Sequence, residues 1–486
     1  MSPTVRQAWL VEQGQVGGTA PDQTAPDRSG GTDFLQLDPA SAQPRHLAAW
    51  LTTAVRDAIT DGRLPAHARL PATRLLAGQL GVSRGVVVEA YQRLTDEGLL
   101  GGRRGGGTTV LATAPTTAPV RSEAAPSPVP IDLRPGLPDL SAFPRQAWLR
   151  AERTVLARTP DAALGYGDPR GTRELRTALA TWLGRSRGVR ADPAGIVVVN
   201  GVAQGLALLA QVLAQRGATT VGYEDPGSRG TRDQLERWGL ALAPVPVDDL
   251  GPDVDGLGDV GAVFVTPAHQ YPTGVVLAPP RRRALLHWAR SAAGRLVIED
   301  DYDAEHRYDR APVAALAALA PEHVVYLGSV SKTLAPALRL GWVVAPPDVR
   351  EELVVRKQWS DITSPALGQL ALAELIATGG FERHLRKVRT RQRTRRDALL
   401  DALRTHLPGA RVHGVAAGLH LLVGLPDGVD DDAVAERALA AGVAVQPLSY
   451  HRLRPGPPGL VIGYAATTPD RLREGVRRLA DVVQES

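Results

Sequence analysis

The spacing of apolar residues changes along the chain and divides it into segments. Residues 1–44 are rich in Gly, Pro, Ser, Thr, Asp and Gln without a sustained period, which predicts a disordered N-terminal extension. A compact unit is predicted over 45–110, and a Pro/Ala/Thr-rich linker follows it over 111–130. The compact unit opens with apolar residues at the spacing of one helical face, namely Leu47, Trp50, Leu51, Ala54, Val55 and Ile59.

Over residues 131–486, short β-branched and apolar runs alternate with helical patterns. Four runs have the length of buried strands and lie at 196–199, 262–265, 296–298 and 324–327. Strands that alternate with helices form mostly parallel sheets whose faces are covered by the helices. We therefore expect the second domain to belong to the α/β class.

A helix–turn–helix pattern lies inside the first compact unit, in the string PATRLLAGQLGVSRGVVVEAYQRL. It predicts a short helix over 72–80 with Leu75, Leu76 and Leu80 directed inward. Gly81 supplies the sharp turn between the two helices.

The second helix of this pattern is the candidate for contact with DNA. It is predicted over about 84–95, with Ser83 at the N-cap position. In such motifs the second helix enters the major groove with its first residues nearest the base edges. Arg84 stands there and can bind guanine through two hydrogen bonds.

Further candidates for DNA contact flank that helix. Arg69 and Arg74 can bind phosphates, and Tyr91 can reach the DNA backbone, although a place in the core is the alternative for Tyr91. The string GGRRGGGTTV predicts a Gly-rich hairpin that carries Arg103 and Arg104 at its tip.

Basic residues are concentrated in the same segment. Residues 45–110 carry nine arginines against five acidic residues, which gives +4 of the formal charge of +5. Such an excess fits a polyanionic partner, although a solvated basic face would give the same count. The string ARLPATRLLAGQLGVSR…AYQRLTDEGLL…GGGTTV closely resembles the GntR family of winged-helix regulators. The resemblance implies that the partner is double-stranded operator DNA; a winged helix used for protein contacts is the alternative.

Composition excludes several kinds of site. The chain has no Cys, which rules out disulfides, thiolate metal sites and cysteine nucleophiles, and no metal site is expected. No signal-like start or apolar run of about 18 residues is present, so we expect a cytoplasmic, nucleoid-associated protein without a membrane partner. The lysines are only three, so any lysine in a chemically meaningful string is informative: Lys332, Lys357 and Lys387.

Lys332 stands in the string GSVSKTLAPALRLGW. Lysine is the side chain that forms a Schiff base with an aldehyde cofactor. Ser329 and Ser331 can donate hydrogen bonds to a phosphate, and Arg339 can bind it through two. The string indicates a site for a phosphorylated aldehyde cofactor.

A second string, LVIEDDYDAE, predicts a strand on which Asp300 and Tyr302 point to the same face. In an aldehyde cofactor that is built on a pyridine ring, a carboxylate beside the ring nitrogen keeps that nitrogen protonated. A tyrosine hydroxyl can bind the phenolic oxygen of the same ring. The alternative is an acidic loop that only solvates the end of a strand, and Glu299 and Asp301 fit that alternative.

Two further strings can contribute to the same cofactor site. IVVVNGVAQGLALL predicts a strand, a tight turn and a helix, whose first amides at Val202, Ala203 and Gln204 would point at an anion. TPAHQYPTG places His269 and Gln270 where a polar group can meet the cofactor ring.

Together with YGDPRG at 166–171, these strings resemble the class I aminotransferases, which bind pyridoxal 5′-phosphate (PLP). The resemblance covers about residues 131–486 and implies fold type I, with a large mostly parallel sheet and a smaller C-terminal subdomain. With the GntR-like unit in front, the chain is identified as a member of the MocR subfamily of transcription regulators.

The resemblance implies roles for individual residues. Lys332 would be the Schiff-base lysine, Asp300 the pyridinium partner and Tyr302 the phenolic-oxygen partner. Arg339 would bind the phosphate. The fold also implies a homodimer, in which Tyr166 would reach the cofactor phosphate of the second subunit.

Two positions depart from the family pattern. Tyr271 stands where aminotransferases have Asn before Pro-Thr-Gly, so Gln270 or His269 would replace that contact. Ser228 follows the Pro-Gly of EDPG, where regulators of this kind often carry an aromatic residue. The residue that stacks on the cofactor ring is therefore not identified.

The late strand GLVIGYA contains no arginine where ordinary family members hold the substrate carboxylate, although Arg452 and Arg454 lie upstream. The sequence thus favours capture of PLP over turnover, in a regulator that senses PLP or an amino acid or amine. The PdxR group of this subfamily responds to PLP, which implies control of vitamin B6 synthesis. An active PLP-dependent aminotransferase that carries a DNA-binding domain is the alternative.

Overall fold

The computed structural model describes residues 35, 37–42, 46–103, 107–111, 129–303, 305–308 and 314–484. The predicted N-terminal extension up to residue 34 and the linker over 112–128 fall outside the described residues. The chain divides into two compact units, Met1–Pro126 and Ser127–Ser486. Each unit has its own hydrophobic core.

The described part of unit 1 contains three α-helices and one small sheet. The helices are α1 (Leu47–Thr60), α2 (Thr73–Leu80) and α3 (Arg84–Asp96). The strands are β1 (Arg69–Leu70), β2 (Leu100–Arg103) and β3 (Gly107–Val110), which pair antiparallel in the order β1-β3-β2. Helices α2 and α3 with the β2–β3 hairpin form the predicted winged helix–turn–helix.

The core of unit 1 corrects one part of the prediction. Leu76 and Ala77 are the buried residues of α2, whereas Leu75 is 54% exposed, so the inward direction expected for Leu75 was wrong. A helix of eight residues presents only a narrow buried face, and neighbouring positions diverge by about 100°. Leu35 packs into the same core, so this residue of the predicted extension has a fixed contact.

Unit 2 alternates strands with helices. Its strands are β4 (Ile131–Asp132), β5 (Ile196–Val199), β6 (Thr220–Asp225), β7 (Ala241–Asp248), β8 (Gly251–Pro252), β9 (Ala262–Val265), β10 (Leu296–Asp300), β11 (Val324–Ser329), β12 (Gly341–Val344), β13 (Arg411–His413), β14 (His420–Gly424), β15 (Val443–Ala444), β16 (Gln446–Pro447) and β17 (Gly459–Gly463). Its helices are α4 (Arg145–Arg158), α5 (Arg173–Arg187), α6 (Val202–Gln215), α7 (Arg229–Arg237), α8 (Pro279–Arg290), α9 (Pro347–Asp361), α10 (Ala366–Ala377), α11 (Gly380–His406), α12 (Asp431–Ala440) and α13 (Pro469–Gln484).

The large sheet of unit 2 has eight strands in the order β5-β12-β11-β10-β9-β6-β7-β8. Strands β11, β10, β9, β6 and β7 are parallel to one another. Strand β12 is antiparallel to both β11 and β5, and β8 is antiparallel to β7. The four strands predicted from apolar runs are present as β5, β9, β10 and β11, and β5 and β9 are fully buried as expected for a covered sheet. The α/β class is confirmed.

A smaller C-terminal subdomain follows the large sheet. Strands β13, β14, β17 and β16 form an antiparallel sheet in that order, and α11, α12 and α13 cover its apolar face. The short pair of β15 with β4 joins the start of unit 2 to this subdomain. This is the two-part architecture implied by fold type I.

Candidate functional site

The predicted cofactor residues come together at one edge of the large sheet. Strand β10 ends at Asp300, β11 ends at Ser329, and β5 ends just before the turn at Asn200. The pairing of β5, β12, β11 and β10 aligns these ends. In open α/β sheets, ligands bind in the crevice outside the carboxyl ends of the strands.

Strand pairing also brings Arg339 to this edge. Gly341, the first residue of β12, pairs with Ser329 on one side and with Val199 on the other. Arg339 lies two residues before Gly341 and has a left-handed backbone, with φ 52°. The guanidinium group and the end of β11 are therefore held next to the start of α6.

These groups form the candidate anion site. The Nη2 atom of Arg339 donates to the carbonyl oxygen of Asn200 at 2.8 Å. Gly201 has φ 78°, a conformation that favours glycine, and a Cβ there would lie 2.7 Å from that guanidinium. The amides of Val202 and Ala203 stand in the first turn of α6, where helix amides have no carbonyl partner within the helix. A cationic side chain and the positive end of a helix thus point to one place.

Gln204 differs from its two neighbours. Its amide nitrogen donates to the carbonyl oxygen of Gly201 at 3.1 Å and is therefore already bound. Its side-chain oxygen accepts from the amide of Asn200 at 2.8 Å, and its Nε2 donates to Asp361 Oδ2 at 2.9 Å. The structure gives Gln204 partners within the protein in place of the expected anion contact.

Lys332 follows the end of β11 in a turn. Its Nζ donates to the carbonyl oxygen of Gly136 at 2.6 Å. Burial lowers the pKa of Lys332, and the nearby Asp300 and Asp303 raise it in part. A lowered amine pKa favours the neutral, nucleophilic form that condenses with an aldehyde. In the same turn the amide of Ser331 donates to Ser329 Oγ at 3.3 Å.

Asp300 carries the most informative feature of the site. Its Oδ1 atom is buried and has no hydrogen-bond partner among the described residues. Burial, together with the negative charge of Asp301, raises the pKa of Asp300 to about 7, while Lys332 lowers it in part. A buried acceptor without a donor is costly, so this atom fits a cationic N–H donor such as a protonated pyridine.

The strand does not continue to Tyr302, which corrects the premise used to place it. Strand β10 ends at Asp300, and Tyr302 lies in the bend that follows. The Nδ1 atom of His269 nevertheless lies 3.1 Å from the Tyr302 hydroxyl and 2.8 Å from Asp303 Oδ2. His269 and Asp303 therefore hold the Tyr302 hydroxyl next to the site.

Glu299 and Asp301 do not solvate a loop, as the alternative interpretation supposed. Both are buried. Asp301 pairs with the buried Arg187 at 2.6 Å, and Glu299 accepts from two backbone amides. They tie the end of β10 to the elements around it.

Gln270 also has other partners than the cofactor ring. Its Nε2 donates to Glu224 Oε2 at 3.0 Å and to the carbonyl oxygens of Pro226 and Tyr271. Its Oε1 accepts from the amide and the hydroxyl of Thr273. Because the whole amide group is bound, the structure places Gln270 in the support of the loop and not towards the ring.

The exposed face of the winged helix contains most of the predicted DNA contacts. Arg69, Arg74 and Arg84 are exposed, and Arg84 is the first residue of α3. Ser83 occupies the N-cap position, but its side chain makes no capping hydrogen bond. Tyr91 is buried and donates to the carbonyl oxygen of Pro71 at 3.0 Å, so the core alternative describes it better than contact with DNA.

The tip of the wing is only partly described. Arg103 ends β2 and pairs with Gly107 of β3, whereas Arg104 lies outside the described residues. The hairpin itself is present where the Gly-rich string predicted it.

Comparison with known proteins decides the family. Residues 131–479 match the family "Aminotransferase class I and II", and residues 48–110 match "Bacterial regulatory proteins, gntR family". The HTH-type pyridoxine biosynthesis transcriptional regulator PdxR of Corynebacterium glutamicum is 33% identical, over 91% of this chain and 97% of its own. The probable rhizopine catabolism regulatory protein MocR of Rhizobium meliloti is 32% identical, over 92% and 95%. This chain is a GntR-type regulator of the MocR subfamily.

Solved structures similar to this MocR-type chain are aminotransferases. The Pyrococcus horikoshii kynurenine aminotransferase, solved with PMP, has a TM-score of 0.68 and 30% identity, and covers 74% of this chain and 92% of its own. The α-aminoadipate aminotransferase LysN of Thermus thermophilus has a TM-score of 0.66 and 29% identity, over 73% and 92%. Fold type I is thereby confirmed for the second unit.

Among the described residues, no helix is long and apolar enough to cross a membrane.

The two arginines considered as a substitute carboxylate clamp differ in their contacts in this MocR-type chain. Arg452 donates to the carbonyl oxygen of Pro457 at 3.1 Å, and its own carbonyl oxygen accepts from Arg232. The amide of Arg454 donates to Asp225 Oδ2 at 3.1 Å, and its side chain is exposed. Ser228 caps α7 by accepting from the amide of Thr231, so it offers no aromatic ring to the site.

Sequence reasoning missed several residues that the fold brings to the two sites. Asp303 binds His269, and Gly418 leaves room for that pair, because a Cβ there would lie 2.1 Å from the His269 ring. Val88 lies one turn after Arg84 on α3 and is 45% exposed, which suits contact with a thymine methyl group. The spacing of four residues from Arg84 was the available signal for Val88; no local signal pointed to Gly418.

Proposed function

We propose that this protein is a DNA-binding transcription regulator whose aminotransferase-like domain binds PLP through Lys332 and senses its effector there. The single observation that carries the cofactor assignment is the buried Oδ1 of Asp300, which has no donor within the described protein and lies in a site that also contains Lys332. A protonated pyridine ring supplies the missing donor and a compensating positive charge.

The residues around this atom fit the rest of the cofactor. Arg339, Ser329 and the first amides of α6 would hold the phosphate, and the Tyr302 hydroxyl would bind the phenolic oxygen. When bound, PLP supplies an electrophilic aldehyde that condenses with the Lys332 amine, with loss of water, and a ring that withdraws electrons.

A sensor is favoured over a working transaminase because β17 lacks the arginine that would hold a substrate carboxylate. Turnover of amino acids needs a cation that holds the substrate carboxylate in position over many cycles. Strand β17 is buried and contains no arginine, and Arg452 is directed to a backbone carbonyl. PLP capture does not require this cation, so the site supports binding better than turnover.

A homodimer is part of the proposal. Tyr166 is 87% exposed, and Trp359 on α9 is 86% exposed. Their segments are adjacent, since the Thr363 hydroxyl donates to the carbonyl oxygen of Asp168 at 3.4 Å. Large aromatic side chains that are almost fully exposed indicate a surface that another chain covers. Tyr166 would then reach the phosphate site of the second subunit.

PLP itself is the effector that we favour. The relative from Corynebacterium glutamicum is named as a regulator of pyridoxine biosynthesis, and the one from Rhizobium meliloti as a regulator of rhizopine catabolism. A site in which β17 lacks the arginine for a substrate carboxylate is closer in chemistry to the first role, which implies control of vitamin B6 synthesis. An amino acid or amine remains the alternative effector.

The test is a DNA titration in three states of the protein. A duplex selected by the protein from a random pool is titrated with PLP-free protein, with PLP-loaded protein and with Lys332→Ala treated with PLP. We expect PLP to change the affinity of the wild type about tenfold, which requires about 1.4 kcal/mol of coupling. The variant should respond little, because it cannot form the covalent bond.

Two outcomes would overturn the proposal. Identical DNA affinity in all three states would end the sensor function. Sustained transamination of common amino donors with keto acids at about 1 s⁻¹ or more would promote the aminotransferase alternative above it.

A further inference from the structure

A second lysine lies close to the candidate anion site, and nothing in the proposed function uses it. Lys357 on α9 is fully buried, at 0% side-chain exposure. Its Nζ donates to Asp361 Oδ1 at 2.8 Å, to Asp361 Oδ2 at 2.7 Å and to Ser364 Oγ at 2.8 Å. All three protons of the ammonium group therefore have acceptors, so this lysine is not available to an aldehyde.

The partner of Lys357 reaches the anion site directly. Asp361 Oδ2 accepts from Asn200 Nδ2 at 3.1 Å and from Gln204 Nε2 at 2.9 Å. Gln204 Oε1 then accepts from the backbone amide of Asn200 at 2.8 Å. Asn200 is the residue whose carbonyl oxygen binds Arg339 at 2.8 Å. A continuous set of hydrogen bonds thus joins a buried ion pair to the turn that shapes the anion site.

The backbone at the end of α9 is strained in a way that serves this set. Ile362, which follows Asp361, has φ 61°, a conformation that β-branched residues rarely adopt. This turn brings Ser364 back to the same ammonium group that binds Asp361. Strain of this kind persists only where surrounding contacts impose it, and such positions concentrate at functional sites.

We propose that Lys357 and Asp361 are positioning residues for phosphate recognition, which act by holding Asn200 and Gln204 so that the first turn of α6 and Arg339 face one anion. The ion pair neutralises the Asp361 carboxylate, which would otherwise place a negative charge beside the site. Gln204 contributes to this positioning through its side chain, which binds both Asp361 and the amide of Asn200. The inference rests on the proposed function, because the anion that it concerns is the phosphate of PLP.

The test compares PLP with pyridoxal, which has the same aldehyde and ring but no phosphate. Affinities for both are measured from the near-visible absorbance of the Schiff base in wild type, Lys357→Met, Gln204→Met and the control Lys387→Met. Lys387 is exposed on α11 and matches the change in size and charge of Lys357→Met. Gln204→Met leaves the ion pair intact and so keeps the test valid if Lys357→Met does not fold.

We expect the preference for PLP over pyridoxal to fall about tenfold in Lys357→Met and Gln204→Met, which corresponds to about 1.4 kcal/mol, and to stay at the wild-type value in Lys387→Met. Pyridoxal affinity should be unchanged, because a phosphate contact cannot affect it. Equal losses for both ligands, or an unchanged preference in both variants, would overturn the inference. A wild type that does not prefer PLP would instead refute the anion site of the proposed function.

Discussion

Asp300→Asn offers the sharpest test of the cofactor site, because it can be made on the protein without PLP. In the folded chain the Asp300 carboxyl has a pKa of about 7, raised from 3.8 chiefly by burial. Its Oδ1 has no donor among the described residues. An ionised carboxylate therefore destabilises the PLP-free fold, and an amide of the same shape removes that charge.

The size and pH dependence of the effect follow from the pKa. Between pH 3.8 and about 7 the folded protein keeps a proton on Asp300 that the unfolded chain has lost, so stability falls as the pH rises through this window. The full difference corresponds to about 4 kcal/mol above pH 7. Asp300 as a whole residue is only half-buried, so water screens part of this cost and we expect about 2–4 kcal/mol.

The measurement is urea unfolding of PLP-free protein at about pH 5 and about pH 8, followed by tryptophan fluorescence. Because pH 5 lies about two units below the folded pKa of about 7, this interval reports at most about 3 kcal/mol of the difference. Asp300→Asn should lose less stability than wild type between these pH values, whereas Asp397→Asn, an exposed acid on α11, should behave as wild type. Other buried acids with a pKa of about 7 that Asp300 does not shift, such as Glu299, affect both proteins equally and cancel in the difference. Parallel pH curves for wild type and Asp300→Asn would refute the reasoning.

Further predictions concern single side chains. Lys332→Ala should remove the near-visible absorbance that PLP gives with the wild type, and absorbance that persists would mean that another amine is attached. Arg84→Ala should cost about 1–3 kcal/mol of specific DNA binding and blur sequence preference, and an equal loss on random DNA would exclude base recognition. Tyr91→Phe should cost about 1 kcal/mol of stability by loss of the bond to Pro71 and leave the salt dependence of DNA binding unchanged. Leu76→Ala should cost unit 1 about 2–5 kcal/mol in thermal or urea unfolding, whereas Leu75→Ala, at an exposed position, should cost much less.

The elements that the sequence could predict are those with a strong period or a long motif. Strands β5 and β9 lie at 196–199 and 262–265, where apolar runs predicted them, because a covered strand needs apolar residues on both faces. The helix–turn–helix and its wing follow from turn glycines and from a string shared with a known family. The inward direction predicted for Leu75 was wrong because three leucines in one short helix cannot all face inward. The surface against which the helix packs decides which of them are buried.

The end of β10 shows a second limit of prediction from sequence. Residues 299–303 read EDDYD and contain no Gly or Pro that would mark the end of the strand. Pairing with β11 stops at Asp300, and Asp301 then turns to a buried arginine from α5, more than a hundred residues earlier in the chain. No local pattern contains that partner, so the burial of Asp301 could not be predicted, although the side-chain chemistry of Asp300 could.

Gln204 and Gln270 show why motif positions do not by themselves assign contacts with a ligand. Each stands beside residues that face the site, yet each has its side-chain amide bound by protein groups on both the oxygen and the nitrogen. A primary amide whose donors and acceptors are already satisfied gains little from a ligand. The Asp300 Oδ1 atom has no donor in the described part of the chain, so it gains a full hydrogen bond. The distinction between residues that bind the cofactor and residues that hold the binding residues in place depends on where each polar atom finds its partner. The partners of each polar atom are known only from the tertiary structure. For this reason the role of Lys357, which lies in no recognised motif, could not be inferred from its position in the sequence.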